Sequence, residues 1–329
     1  MHARLPVLWA AAAFAALAIA GAFMGSYPIY LLSLAMINVI SALGLNLLTG
    51  NSGQISLCHS SFMAIGAYLS SLLTLHAGLP FWVAIPLAAV AAAALGALLG
   101  MPASRLKGIY LALATLGFLQ IVQIGIEEGA ALTGGVRGLK VPAPTLVGAK
   151  LGFYPMFLVV LVLCAFAVWT TTRLLHSRVG REFNAVRTSP HAAQALGVSV
   201  AGVKLVAFAL SAAYAGVAGG LLAVVVGFID PNEFGVSVAL RQITFVVVGG
   251  MGSVAGSVLG AAVLSALPEA LRPVKEYSDV IYALILLGFL IFLPRGLVTL
   301  WHRRSDGSAG PAAAATTGSA STTNASAAP

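Results

Sequence analysis

Apolar runs of near-uniform length, broken by short polar stretches, recur along the whole chain. A helix rises about 1.5 Å per residue, so a run of ~20 apolar residues crosses a hydrocarbon core ~30 Å thick. The pattern predicts ten spans: Leu5–Met24, Ile29–Leu48, Ser61–Leu75, Phe81–Met101, Ile109–Ile126, Tyr154–Thr172, Leu205–Gly227, Val236–Gly250, Val254–Leu267 and Val280–Leu293. The third, eighth and ninth are short or dense in glycine. One break stands apart. Arg173–Lys204 lies between the apolar runs Tyr154–Trp169 and Leu205–Val226, and it holds five of the seventeen Lys and Arg residues but one acid, Glu182. It has to sit in water at a membrane face, and its basic excess marks that face as cytoplasmic.

The remaining charges follow the same orientation. With both termini inside, cytoplasmic segments hold Arg4, Arg105, Lys107, Arg173, Arg178, Arg181, Arg187, Lys204, Arg295, Arg303 and Arg304, eleven of seventeen basic residues. They hold only Glu182 and Asp306 of the nine acids. Outside lie Glu127, Glu128, Asp230, Glu233, Glu269, Glu276 and Asp279. The first run, with Arg4 ahead of it and Ala18-Ile19-Ala20 within it, fits a retained helix better than a cleaved leader, whose apolar core spans only ~7–15 residues. From Ser305 onward small residues dominate, which predicts a disordered tail. The expected organisation is a membrane domain over 1–304, with a cytoplasmic loop at 173–204, and a cytoplasmic tail over 305–329.

Composition agrees. Sixty per cent of the residues are hydrophobic and 8% are charged, against about 25% charged in soluble domains. Mean hydropathy is +1.00. The net charge of +8 is spread over loops with no stripe of interleaved aromatics, so topology accounts for it and nucleic acid is not expected as a partner. Cys58 and Cys164 lie far apart among small or apolar neighbours, which predicts buried packing rather than a disulfide or metal site.

Polar residues inside this apolar chain are the next signal. Asn46, Thr49, Asn51, Ser52, Gln54, Ser56, His59 and Ser60 crowd around Gly50 and Gly53. Two readings stand: an ordinary cytoplasmic turn, or an interrupted helix lining a substrate path. Irregular backbone at membrane depth must face protein or a wet cavity, and broken helix ends suit the charges of a zwitterion. Thr133, Gly134 and Gly135 open a basic outer loop with Arg137 and Lys140, either a plain loop or a contact for ligand or delivery protein. Gly252, Gly256 and Gly260 make two small-xxx-small steps, which predicts close helix packing.

Several chemistries find no support. No G-x-x-x-x-G-K-[ST] occurs, so the chain is not expected to hydrolyse ATP itself. Asp, Glu and Lys avoid the centres of the clear spans, where ion-coupled carriers place them. His59, His76 and His191 lack partners at metal-ligand spacing, nucleophile and base are not paired, and neither metal nor cofactor is expected. A transporter of this kind has to draw energy from a partner.

The island offers a handle for one. Ser189 can cap a short helix, Pro190 suits its first position, and Gly197 supplies a left-handed stop. That helix has no apolar face large enough to need a core, and its alanines let a partner approach closely. His191-Ala192-Ala193-x-x-x-Gly197 resembles the E-A-A-x-x-x-G coupling loop of importers driven by ATP-binding cassettes, with His in place of Glu. A wider likeness follows. Asn46-Leu47-Leu48-Thr49-Gly50, Gly53-Gln54-Ile55-Ser56-Leu57 with His59 and Phe62, and Ile65-Gly66-Ala67-Tyr68 resemble the M-type permease of branched-chain amino acid (Liv-type) importers. So do Arg105 to Ala112, Thr133-Gly134-Gly135, Val179-Gly180-Arg181, Lys204 to Gly219, Asp230-Pro231 with Phe234, Gly249 to Ser253 and Pro294 to Leu297. The likeness spans about residues 29–298 and departs at Cys58, where the family usually has glycine.

The resemblance implies an all-α polytopic inner-membrane permease of about ten helices with interrupted segments. It implies no cofactor, and a heterodimer with a related second permease. Two cytoplasmic ATPases and a periplasmic amino-acid-binding protein complete the implied assembly, with lipid around it. Transport is then expected by alternating access. The outer surface with Thr133, Gly134 and Gly135 receives an aliphatic amino acid. Asn46, Thr49, Gly50, Gly53, Gln54, Ser56 and His59 line part of its path. Arg187, Ser189, Pro190, Ala192, Ala193 and Gly197 couple to the ATPases. The alternatives are a related importer of urea, amides or small carboxylates, and an ATP-independent carrier or channel.

Overall fold

The computed structural model describes residues 14–106, 108–146, 149–272 and 278–292. The chain before residue 14 and the tail over 305–329 lie outside the described residues, so the retained-leader and disordered-tail expectations are not addressed by it. Within the described residues every expected span is helical. Helix α1 is seen over 14–22, and α2 is Ser26–Leu45. Then come α3 at His59–His76, α4 at Phe81–Ala103 and α5 at Ile109–Glu128, with a single turn, α6, at Ala130–Thr133. Helix α7 at Phe153–His176, α10 at Val200–Val226, α11 at Val236–Gly249, α12 at Val254–Ala270 and α13 at Ser278–Phe292 complete the set. Five are long and apolar enough to cross a membrane, counting α2 with its extension to Asn51.

Helix α10 is the axis of the bundle, packed against α4, α3 and α2, while α2 also meets α7 and α12. Apolar attraction between helices is weak in lipid, so close backbone approach has to hold them. The glycines supply it. A Cβ on Gly66 of α3 would strike the Gly216 backbone of α10, and one on Gly219 would strike the Met63 backbone. Helix α3 carries Ser60, Ser61, Ser70 and Ser71 in buried positions. A polar helix of this kind is tolerated because its neighbours screen it from lipid. The outward faces of α4, α5 and α7 instead present Val90, Leu98, Ile121, Val162 and Phe166, all well exposed.

The glycine-dense run near residue 250 divides in two. Gly256 and Gly260 face Gly249 across the α11–α12 pair, as small-xxx-small spacing predicts. Gly252 does not belong to that seam. It occupies the turn between α11 and α12 at φ +86°, because the chain reverses there and a left-handed residue is needed.

The two ends of the bundle differ. At one end Leu139–Lys140 (β1) pairs antiparallel with Phe228–Ile229 (β4), and Thr145–Leu146 (β2) pairs with Ala149–Lys150 (β3). Glu127, Glu128, Asp230, Glu233 and Glu269 all fall at the helix ends and loops on this side. The opposite end carries the basic island. There regular helix reaches further than the sequence suggests: α7 runs on to His176 and α10 starts at Val200. Between them lie α8 at Arg178–Thr188 and α9 at Pro190–Ala195. Helix α8 has an apolar face that buries Phe183 and Val186. The island is therefore a docked structural element and not a single free-standing helix.

Candidate functional site

Helix α2 does not stop at Leu45. It widens into a π-helical turn over Asn46–Asn51, every residue of which is buried. Such turns insert one residue per turn and commonly occur at functional positions. Asn46 accounts for this one. Its Oδ1 accepts the Gly252 N–H at 2.7 Å, and its amide donates to the Ser253 carbonyl at 3.1 Å. The Asn51 amide donates to the Gly252 carbonyl at 3.3 Å. Two side chains on the π turn thus satisfy the backbone of the α11–α12 turn, which helix geometry leaves open. Gly50 permits the approach, since a Cβ there would collide with the Asn46 side chain and the Gly252 nitrogen.

From Ser52 the chain folds back as a loop that buries Ser52, Gln54, Ser56 and Cys58 and leaves Gly53 and Ile55 exposed. Ser52 Oγ donates to the Leu48 carbonyl at 2.7 Å and accepts from the Gln54 amide at 2.9 Å. Ser56 Oγ lies 3.1 Å from Cys58 Sγ, and the Leu57 N–H donates to Thr115 Oγ1 at 3.0 Å. His59, first residue of α3, sits between two other helices. Its Nδ1 is 3.1 Å from Ser211 Oγ of α10, and its Nε2 is 3.1 Å from Ser41 Oγ of α2. The ring therefore bridges three helices, one nitrogen donating and the other accepting. Thr49 Oγ1, Asn51 Oδ1, Gln54 Oε1, Ser60 Oγ and Ser61 Oγ are buried without a hydrogen-bond partner. Buried orphans of this density are costly, and they concentrate polar, uncharged valence between the end of α2 and the first turn of α3. Such groups can bind or pass a polar solute; among the described residues no cluster of His, Cys, Asp and Glu can hold a metal. Cys58 and Cys164 are both free and buried.

The Thr133–Gly135 segment belongs to the other end. Thr133 Oγ1 donates to the carbonyls of Ile126 at 2.6 Å and Gly129 at 2.9 Å, and accepts from the Gly135 N–H at 3.2 Å. It ties off the end of α5. Gly134 and Gly135 both take positive φ. The structure does not bring this segment together with Asn46–His59; α10 runs the distance between the two regions.

At the island, Ser189 Oγ accepts from the Ala192 N–H at 3.3 Å, Pro190 occupies the first turn, and Gly197 has φ +80°. The capped helix is as its sequence grammar predicts. Ala193, however, is buried and anchors α9, leaving Ala192 and Gln194 on the open side. Leu196, next to the glycine stop, is 82% exposed. Arg187, in the last turn of α8, reaches across the gap. Its side chain lies over Gly53, and a Cβ on Gly252 would come within 2.7 Å of its Nη1. The island, the loop after α2 and the α11–α12 turn therefore meet at one arginine.

Sequence reasoning overlooked four contributors: the Gly252–Ser253 turn, Ser41, Ser211 and Thr115. Serines and threonines within apolar helices are the signal that marks them. It also overlooked Leu196, whose apolar side chain beside a helix stop in a polar loop is the cue.

A family model described as branched-chain amino acid transport system, permease component, matches residues 27–293. The chain is 37% identical over 310 residues to the high-affinity branched-chain amino acid transport system permease protein LivM of Escherichia coli K12, covering 86% of this chain and 73% of that one. The LivM protein of Salmonella typhimurium is 36% identical over the same shares. The autoinducer 2 import system permease protein LsrC of Escherichia coli is 31% identical over 225 residues, 63% of each chain. No solved structure matches.

Proposed function

Because the chain belongs to the permease family of branched-chain amino acid transport systems, we propose that it works by alternating access, driven from the α8–α9 face. It is a multi-pass membrane permease subunit of a branched-chain amino acid importer of the ATP-binding-cassette type. In the proposed assembly it pairs with a related second permease. Two cytoplasmic ATPases hydrolyse ATP and dock on α9, where Ser189, Pro190, Ala192 and Gly197 shape the contact and Ala193 anchors it. A periplasmic amino-acid-binding protein delivers substrate to the opposite end, over Thr133, Gly134 and Gly135. Both termini face the cytoplasm of a bacterium, the membrane being the inner one.

The observation that carries this mechanism is the position of Arg187. It belongs to the docking element, yet it packs on Gly53 and Gly252, which flank the π turn. A rigid-body shift of α8–α9 cannot leave that contact unchanged, because close-packed elements move as units. The shift reaches Asn46 through Gly252 and so reaches the polar stretch with Thr49, Gly50, Gln54, Ser56 and His59. These residues line the inner half of the proposed path. An aliphatic amino acid asks for few polar contacts and an otherwise apolar passage, and this chain supplies both.

The test is uptake of labelled leucine by proteoliposomes holding the chain alone, or with second permease, ATPases and loaded binding protein. ATP-dependent uptake only in the complete set, lost in Gly197→Pro with assembly intact, is the expected result. Uptake by the chain alone, indifferent to ATP, overturns it in favour of a channel or carrier.

A further inference from the structure

A cavity of about 230 Å³ lies at the end of the bundle away from the island, remote from the Asn46–His59 stretch. Ser70, Ser71 and Thr74 of α3 form one side, Phe81 of α4 and Val224 of α10 the back, and the outer segment 141–145 the mouth. An apolar cavity of ~150 Å³ takes up a benzene ring, so this one has room for a small amino acid.

Its polarity is directional. Helix α3 ends at His76 and α4 begins at Phe81, joined by a tight turn with Gly78 at φ +64°. The turn sets the C-terminus of one helix beside the N-terminus of the next. The Leu73 carbonyl accepts from Ala77 and Leu79, the carbonyls after it in α3 have no helical N–H to accept, and the Phe81 and Trp82 N–H groups that open α4 have no helical carbonyl to reach. Pro80 already gives its own carbonyl to Val83 and Ala84. One edge of the cavity thus carries partial negative charge and the adjacent edge partial positive charge. A second, independent feature marks the space. Ser71 is 2% exposed and lines the cavity, and its hydroxyl has no hydrogen-bond partner. Its neighbours are satisfied: Ser70 donates to the Ala67 carbonyl and Thr74 to the Ser70 carbonyl. Opposite these polar groups stand Leu79, Phe81, Val141 and Val224.

We propose that this cavity is an outer holding site for a zwitterionic aliphatic amino acid. The carboxylate sits toward the start of α4, the ammonium toward the end of α3 with the Ser71 hydroxyl, and the side chain against the apolar wall. The site deepens the importer assignment above and rests on it: it receives substrate before the bundle opens inward.

The test uses the assembled permease pair with its ATPases in lipid nanodiscs, without binding protein or ATP, and reads binding of leucine by saturation-transfer NMR. Wild type binds leucine saturably, and isoleucine displaces it. Neither 3-methylbutylamine, which lacks the carboxylate, nor 4-methylpentanoate, which lacks the ammonium, competes comparably. Ser71→Ala weakens binding about fivefold, the worth of one neutral hydrogen bond. Ala143→Trp, at an exposed position on the mouth, abolishes binding without touching the core. Absence of leucine binding to wild type, or binding unchanged in both variants, overturns the site. Equal competition by the amine or the acid overturns the zwitterion assignment. ATP-driven leucine uptake by the complete wild-type importer is measured alongside. Its absence sinks the importer reading itself, whereas normal uptake with both cavity variants neutral sinks only this site.

Discussion

Asn46 and Gly252 are joined side chain to backbone across more than two hundred residues: the Gly252 N–H donates to Asn46 Oδ1 at 2.7 Å, while the Asn46 amide donates to the next carbonyl, Ser253. Asn46 is buried while Gly252 and Ser253 are half-buried, so removal of the side chain leaves a backbone donor and acceptor without this partner. Asn46→Ala is expected to destabilise the purified permease by about 1–3 kcal/mol, read as a lower midpoint in denaturant unfolding in detergent. An unchanged midpoint would mean the α11–α12 turn satisfies itself without help from the π turn.

His59 ties Ser41 of α2 to Ser211 of α10. His59→Leu keeps bulk but strands the Ser211 hydroxyl, Ser41 keeping its bond to Met63 Sδ at 3.3 Å, and is expected to cost about 1–3 kcal/mol. Ser211→Ala added to His59→Leu recovers part of that loss, because the stranded hydroxyl is then gone. Thermal melts of the single and double variants decide it; strict additivity of the two losses would refute the bridge.

Packing glycines and free glycines are separable by one methyl group. Gly66→Ala drives a Cβ into the Gly216 backbone, and overpacking of this kind typically costs about 1–3 kcal/mol. Gly117 and Gly125 of α5 have open space where a Cβ would go. Alanine at either is expected to be neutral or to stabilise by up to ~1 kcal/mol through helix propensity. Yield and melting temperature of the three variants give the comparison, and equal behaviour would count against close approach of α3 and α10.

Leu196 stands 82% exposed beside the Gly197 stop. Burying a leucine contributes about 1.5–3 kcal/mol, so Leu196→Ser is expected to weaken ATPase binding roughly tenfold or more while leaving the melting temperature of the free permease unchanged. Fluorescence titration of labelled ATPase against the permease pair measures it. Unaltered affinity would place the docking contact elsewhere on the island.

Arg187→Ala separates docking from transmission. The arginine packs over Gly53 and beside Gly252, while α9 carries the exposed docking face. ATPase affinity is expected to stay within about twofold, as for a surface change without a lost partner, while leucine uptake per ATP hydrolysed falls. A proportional fall in affinity and uptake would make Arg187 a docking residue and leave the link to the π turn without function.

The local signals in this chain were readable because their causes are local. Apolar runs fix where helices can exist in lipid, since backbone groups there must bond within the segment. Ser189, Pro190 and Gly197 fix α9, since a cap, a preset φ and a left-handed stop act over a few residues. Clustered amides and hydroxyls between Asn46 and His59 signalled an unusual segment without saying whether it was turn or interrupted helix. It is a π turn followed by a loop that buries Ser52, Gln54 and Ser56, and Asn46 and Asn51 of the π turn bond to a turn two hundred residues away.

Tertiary structure alone decided the rest. Gly252 shares its spacing with Gly256 and Gly260, yet only those two pack against Gly249, because the chain turns at residues 250–253. Ala193 matches the motif of an open docking helix, yet it is buried, because α8 and α10 pack around α9. Ser71 is one serine among several in α3, and only the approach of the 141–145 segment encloses a cavity around it. Sequence determined which segments are helical, which face water and how α9 begins and ends, since hydration and backbone geometry act residue by residue. Which helix end meets which side chain depended on how the bundle closes, since those contacts join residues that the chain itself keeps far apart.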